Sequence, residues 1–346
     1  MIDILVYAGA QELNRRGSHA GRLLLRVVTG RARDDCPVAQ ICGWMVYGDG
    51  SERGNAMAIL FKIVRDGRDF FCQADGEAKF FVGRRVPYEG NIGLYNIFGG
   101  SKVEKLNFNS ADFNTTQGFW AEFIEPTALC EGRNFLTLNT YDSAAFTFGF
   151  GQFAAHVPNG DFVCYFRKLL SLPNAADYFP HLKLVNGRIH KFEEGSPSIA
   201  LETDETTKPL TKYLNASLDD VDDSEVIAAA KLIHWTSKHV AARDAQVAQM
   251  VDTYKGFMKR AQQRVGIDGR TADLCCVVAD ILHHGRGGKM TWPMVDEALK
   301  SGKPLDSLIA IGAPKWEERK NTLRKALKAR PGFAQKVWNA AIGAFV

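Results

Sequence analysis

The chain has 346 residues, 46% hydrophobic and 24% charged, which supplies a real core and argues against disorder along its whole length. No window approaches eighteen uninterrupted apolar residues, so no membrane-spanning helix is expected. The net charge of +4 is unevenly spread: residues 231–346 carry 20 Lys and Arg against 10 Asp and Glu, whereas the preceding residues carry 23 against 29.

A basic C-terminal third suits either a polyanionic partner or a set of solvated helix faces. The opening MIDILVYAGAQELNRR has no basic residue ahead of its short apolar run, so no signal peptide is expected. The seven cysteines, Cys36, Cys42, Cys72, Cys130, Cys164, Cys275 and Cys276, are odd in number and form no CxxC. They read as free thiols of a chain made in reducing cytoplasm.

In chain order, residues 1–100 read as strands: Leu23 to Val28, Met57 to Val64, a return strand from Phe70, and Lys79 to Val82, with Asp66-Gly67 as a tight turn. No motif there carries chemistry, and residues 1–105 form the expected β-rich or α+β accessory module. Asn107 to Thr116 is polar and reads as a loop whose Thr115 or Thr116 caps a helix through Phe119 and Ile124. Pro126 is expected to kink that helix or restart it up to Glu131. Phe135 to Gln152 is aromatic and β-branched, with Asp142-Ser143 at a turn. A helix from Asp161 to Leu172 and a hairpin at Asn186-Gly187 follow. Glu202 to Asp223 reads as an acidic surface loop. Beyond Ser224 the chain is helical, with further helices at Thr271–His284, Trp292–Leu299 and Trp316–Ala329. The fold class is therefore α+β: a small β-rich N-terminal module, then a mainly helical domain at 106–346 that contains a β-hairpin.

Glycosidic hydrolysis needs a carboxylic acid for the leaving oxygen and a second carboxylate for water or the cationic transition state. Glu131 closes a predicted helix, precedes Gly132, and has Phe119, Trp120, Phe123 and Phe135 nearby in sequence. Apolar surroundings of that kind keep a carboxyl protonated. Asp142 sits at the predicted hairpin tip, open to water and backbone amides. Alone, either residue is what a helix end or a turn carries anyway.

Together they form an ordered pattern: helix, Glu131-Gly132, strand, Tyr141-Asp142, turn, then Thr147-Phe-Gly149-Phe-Gly151-Gln152. This resembles the catalytic signature of the lysozyme-like superfamily, phage-type lysozymes in particular, with a chitosanase-like branch as an alternative. The resemblance covers Gly118 to about Leu172. It implies Glu131 as general acid, Asp142 as second carboxylate and Thr147 as the residue that positions water. It also implies a substrate site formed by Tyr141, Gly149, Gly151 and Gln152, the two glycines forming a cleft floor that a sugar approaches.

The implied activity is a bacteriolytic muramidase with no cofactor and no metal, whose partner is peptidoglycan reached after release or non-classical export. Residues 1–105 would then serve a delivery or inhibitor protein. A cationic chitosan suits the basic helices less well. Other readings are a non-catalytic glycan-binding protein and, without any recognised motif, a nucleic-acid binder. Glu122 and Glu125 are rivals for the acid. His283-His284-Gly285-Arg286-Gly287-Gly288 reads as a glycine-terminated helix, although Arg286 would suit an anionic substrate. Cys130 would need a histidine partner to act as a nucleophile. Phe146, Phe148, Phe150 and Phe153 read as core, with one or two available to stack on sugars.

Overall fold

The structure is a computed structural model that describes residues 58–346. Its strands and helices, in order, begin with β1 (Phe61–Asp66), β2 (Asp69–Ala74), β3 (Phe80–Tyr88) and β4 (Asn91–Tyr95). The short α1 (Asn114–Gln117) leads into α2 (Phe119–Cys130), then β5 (Leu138–Asn139), β6 (Thr147–Phe148) and β7 (Phe153–Ala154). Next come α3 (Asp161–Leu170), α4 (Ala175–Tyr178), β8 (Leu182–Val185), β9 (Arg188–Lys191), β10 (Ile199–Ala200) and α5 (Lys208–Leu214). The helical part holds α6 (Asp223–Lys238), α7 (Val240–Val265), α8 (Ala272–His284), α9 (Thr291–Lys300), α10 (Pro304–Ala310) and α11 (Glu317–Lys328). A final pair, β11 (Trp338–Asn339) and β12 (Ala344–Phe345), ends the chain. The α+β class holds, with a β-rich start and a helical remainder.

The turns follow their local chemistry. Gly67, at φ +59°, turns β1 into β2, where Asp66 faces Asp69. Asn186 and Gly187, both at positive φ, close the β8–β9 hairpin as the Asn-Gly pair suggests. Asp222 caps α6 by accepting from the backbone N–H groups of Ser224 and Glu225. The long helical stretch after Ser224 breaks at His239, whose backbone is extended. There Arg243 Nη1 donates to the freed carbonyls of Thr236 and Ser237 at 2.8 and 3.2 Å. The expected kink at Pro126 does not divide α2, which runs unbroken from Phe119 to Cys130. Its residues 123–128 are buried against α7, α8 and α11, and this packing outweighs the single hydrogen bond that proline removes. Two short helices, α5 and α10, occupy stretches read as loop or not assigned.

The larger correction concerns domain boundaries. Strands β1 to β7 form one antiparallel sheet in sequence order, so residues 58–105 share a sheet with the hairpin rather than forming a module of their own. Tyr95 on β4 pairs with Asn139 on β5. Asn96 extends this seam with its side chain: Nδ2 donates to the Leu136 carbonyl at 2.7 Å, and Oδ1 accepts from Leu138 N–H at 2.8 Å. The expected Leu23–Val28 strand lies outside the described residues.

The sheet has two unlike faces. Val82, Leu94, Leu138 and Phe148 are fully buried, with α6 packed on β1 to β3 and α3 against β7. Trp235 of α6 stacks on Tyr178 with ring centroids 4.7 Å apart. On the other face, a cross-strand row of paired residues runs Asp69, Arg84, Tyr95, Asn139, Thr147, Ala154.

Candidate functional site

The polar face of the sheet carries Tyr141, Asp142 and Thr147. Asp142 is fixed locally: its Oδ2 accepts from Asn139 Nδ2 at 2.8 Å and its Oδ1 from Ala144 N–H at 2.9 Å. This is the hydrogen-bonded setting that the sequence assigned to the second carboxylate. Asn139 also holds the Tyr141 N–H at 3.1 Å and faces Thr147 across the strand pair. Thr147 is buried at 6% exposure. Tyr141 packs against Tyr88 and Tyr95, with centroids 5.2 and 5.7 Å away. The aromatic wall beside Asp142 therefore comes from β3 and β4, a region in which the sequence showed no chemistry.

The glycines do other work than expected. A Cβ on Gly149 would lie 2.5 Å from Gln246 Oε1, and one on Gly151 would lie 2.4 Å from Phe153 Cε1 and 3.0 Å from Met250 Sδ. Helix α7 thus occupies the space assigned to a sugar. Gln246 is fully buried; its Oε1 accepts from Phe150 N–H at 3.2 Å and its Nε2 donates to the Phe135 carbonyl at 3.1 Å. The missing side chains let a helix, not a ligand, approach the strand. Gln152 takes a left-handed turn at φ +53° between β6 and β7, with its N–H donating to the Gly149 carbonyl. Phe146, Phe148 and Phe150 are 0% exposed and Phe153 is 1% exposed, so none of them is available to stack on sugars.

Glu131 lies immediately after α2, with its side chain 17% exposed. Its neighbours are charged rather than apolar. Oε1 accepts from Arg319 Nη1 at 2.6 Å and lies 3.6 Å from His283 Nε2. Arg319 also bonds Asp280 through Nη2 at 2.7 Å, and Arg286 Nη1 donates to the other oxygen of Asp280. Both Asp280 and Arg286 have fully buried side chains. Burial pushes the Asp280 carboxyl up, but the two guanidinium groups more than offset this and hold it below the usual carboxylate range. Thr127 of α2 donates to Asp280 as well, so α2, α8 and α11 meet on this one carboxylate.

A cavity of about 510 Å³ opens beside this cluster, lined by Cys130, His284, Trp316, Glu317, Glu318, Arg319 and Thr322. Burial pushes the Cys130 thiol up to about 12, and its Sγ donates to the Arg319 carbonyl at 3.6 Å, the setting of a structural thiol. Of the rivals for the acid, Glu125 is held by Ser110 and Arg330 as a buried structural pair. The double-histidine motif is the end of α8, closed by Gly285 at φ +71°, as glycine-terminated helices are. Among the described residues no group of three or more His, Cys, Asp and Glu could hold a metal ion, and no helix is long and apolar enough to cross a membrane.

The structure thus brings Tyr141, Asp142 and Thr147 together through Asn139. It places Glu131 in a second group built on α8 and α11. Among the described residues no hydrogen bond or ion pair links the two groups. Sequence reasoning missed Asp280, Arg319 and Gln246, which meet their partners only through tertiary packing; Arg319 stands 188 positions from Glu131. Comparison of the chain with family models, curated proteins and solved structures gives no match.

Proposed function

We propose that the chain is a glycoside hydrolase that cleaves the glycan backbone of peptidoglycan. In this reading Glu131 delivers the proton to the leaving oxygen, a role that requires release of its ion pair with Arg319. Asp142, with Thr147, serves the water or the cationic transition state. The observation that carries this reading is the position of Glu131: a partly exposed carboxyl at the close of a helix, with Cys130 before it and its partner Arg319 both lining an open cavity. The antiparallel strands that follow carry the second carboxylate in a hydrogen-bonded setting, in the order the lysozyme-like resemblance implies.

Clearing of a suspension of purified cell walls tests the proposal. Wild-type protein is expected to lower the turbidity and release reducing ends, and Glu131→Gln is expected to lose at least about 100-fold of the rate. Equal clearing by the two proteins would remove Glu131 from the mechanism. A second reading, a glycan-binding protein that does not cleave, gains from the separate anchoring of Glu131 and Asp142. It predicts wall affinity without release of reducing ends.

A further inference from the structure

The second half of α7 and the β11–β12 hairpin form a surface that glycan cleavage does not use. Residues 253–267 and 319–346 contain no Asp or Glu. Lys255, Lys259 and Lys336 have no carboxylate partner among the described residues, and Asp252, just before Lys255 on α7, is paired with Lys168. The loop after α7 runs beside β11: Gly269 N–H donates to the Trp338 carbonyl and Trp338 N–H to the Arg270 carbonyl, each at 2.8 Å. Asp268, the acid of that loop, is held by the hairpin, its Oδ1 accepting from Ala340 N–H at 2.8 Å. A cavity of about 410 Å³ lies between helix and hairpin, lined by Lys255, Lys259 and Gln263 on one side and Trp338, Ala340 and Gly343 on the other.

Charge and apolar exposure together decide the class of partner. Lys255 Nζ lies 5.7 Å from the Trp120 ring centroid and Lys336 Nζ 5.1 Å from that of Phe119. Both rings pack on Phe345, with centroids 5.6 and 5.2 Å away. Ring faces covered by ammonium groups and by other rings are closed to the base stacking that holds a single-stranded nucleic acid. At the hairpin tip, Asn339 Oδ1 accepts from Ala341 and Ile342 N–H at 3.0 and 3.3 Å, and Gly343, at φ +65°, donates its N–H to the Asn339 carbonyl at 2.9 Å. This closed turn holds Ile342 at 63% exposure. A fixed apolar side chain beside unpaired ammonium groups gains nothing from a soluble polyanion. It matches a surface that is anionic at its headgroups and apolar just beneath them.

We infer that the β11–β12 hairpin and the second half of α7 dock on an anionic phospholipid bilayer. Lys255, Lys259 and Lys336 engage the phosphate groups, and Ile342 enters the acyl boundary. The contact is peripheral and requires no spanning helix. It stands independently of the glycan reading, since neither Glu131 nor Asp142 takes part.

Cosedimentation of the full chain with vesicles tests the inference. Vesicles of equal parts phosphatidylglycerol and phosphatidylcholine are expected to carry the protein down, and pure phosphatidylcholine vesicles to leave it in solution. Binding should weaken as sodium chloride is raised. The double variant Lys255→Gln/Lys259→Gln is expected to lose about tenfold or more in partitioning, and Lys208→Gln/Lys212→Gln, which removes two charges from α5, to stay within about threefold. Ile342→Asp, at an exposed turn, should also lose about tenfold or more, while Ile342→Leu stays within about threefold of the wild type. Circular dichroism on each variant checks that the fold is kept. The docking surface is overturned by absence of binding to the anionic vesicles, by equal binding to the neutral ones, or by equal losses in the α5 and α7 double variants. Binding that ignores Ile342→Asp and is matched by soluble polyphosphate also overturns it, and assigns the lysines to a polyanion instead.

Discussion

The Thr140 hydroxyl, in the turn that leads to Asp142, donates a hydrogen bond to the carboxyl of Glu225 in the first turn of α6. The same hydroxyl oxygen accepts from Leu94 N–H at 2.6 Å, and Leu94 N–H also reaches Glu225 Oε1 at 3.2 Å. One buried acid thereby joins β4, the hairpin and α6.

Glu225 is 0% exposed, and its Oε2 has no partner among the described residues. Burial raises this carboxyl from an ordinary 4.5 to about 8, against the opposing effect of its hydrogen bonds. The folded state therefore holds a proton that the unfolded chain releases at lower pH. The stabilisation is complete below about pH 4.5 and is lost as pH rises towards about 8. Urea unfolding midpoints are expected to decline across that window in the wild type. Glu225→Gln, which cannot ionise, should gain on the wild type with each step up in pH. Parallel pH profiles for the two proteins would contradict this account.

Arg319 is the partner whose loss costs most in the Asp280 cluster. Arg319→Met leaves a fully buried carboxylate with Arg286 as its remaining guanidinium partner, and unfolding free energy at neutral pH is expected to fall by about 3–5 kcal/mol. Asp280 is held below its ordinary range in the fold, so its contribution is present above about pH 3.8 and disappears as pH drops through the depressed value. The difference between Arg319→Met and wild type should shrink in the same acid range. A loss under 1 kcal/mol at pH 7 would show that the cluster tolerates an open position.

Gly149 tests whether its bareness serves packing or ligand. Its φ of +89° and the 2.5 Å approach of Gln246 Oε1 to a built Cβ predict that Gly149→Ala destabilises by about 1–3 kcal/mol. Adding Gln246→Ala should give a double variant less destabilised than the two single losses combined. Thermal denaturation of the three variants reads both effects. Unchanged stability with weakened glycan binding would instead return the position to the ligand.

Asp142→Asn keeps an acceptor for Ala144 N–H, removes the charge at the hairpin tip and gives up the oxygen that accepts from Asn139 Nδ2. Stability is expected to stay within about 1 kcal/mol, while wall clearing drops about 100-fold or more. Retention of full activity would assign Asp142 to turn formation alone.

The parts of the fold that were legible in the sequence are those set by neighbouring residues. Helix α8 with its glycine end and the Asn186-Gly187 hairpin each rest on chemistry within a few positions. The order helix, Glu131, hairpin, Asp142 was legible for the same reason. The surroundings of Glu131 were not. Phe119, Trp120 and Phe123 precede it in sequence, yet their rings pack with Phe345 and, for the two phenylalanines, Phe333, while Arg319 and His283 reach the carboxylate from distant helices. Two glycines spaced for a ligand read the same as two glycines spaced for a helix, and the crossing of α7 over Gly149 decided between them.

The unbroken run of strand pairing from Phe61 to Ala154 makes the hairpin a passenger of the strands before it. Cutting the chain near residue 105 would not release a self-sufficient second half. It would leave β5 with an open edge where β4 and Asn96 had been, and the Thr140–Glu225 pair without the Leu94 N–H that both accept from. The seam between β4 and β5 rests on the Tyr95–Asn139 pair and the Asn96 side chain, so the early strands belong to the same sheet as the loop that holds Asp142 and are not a detachable tag.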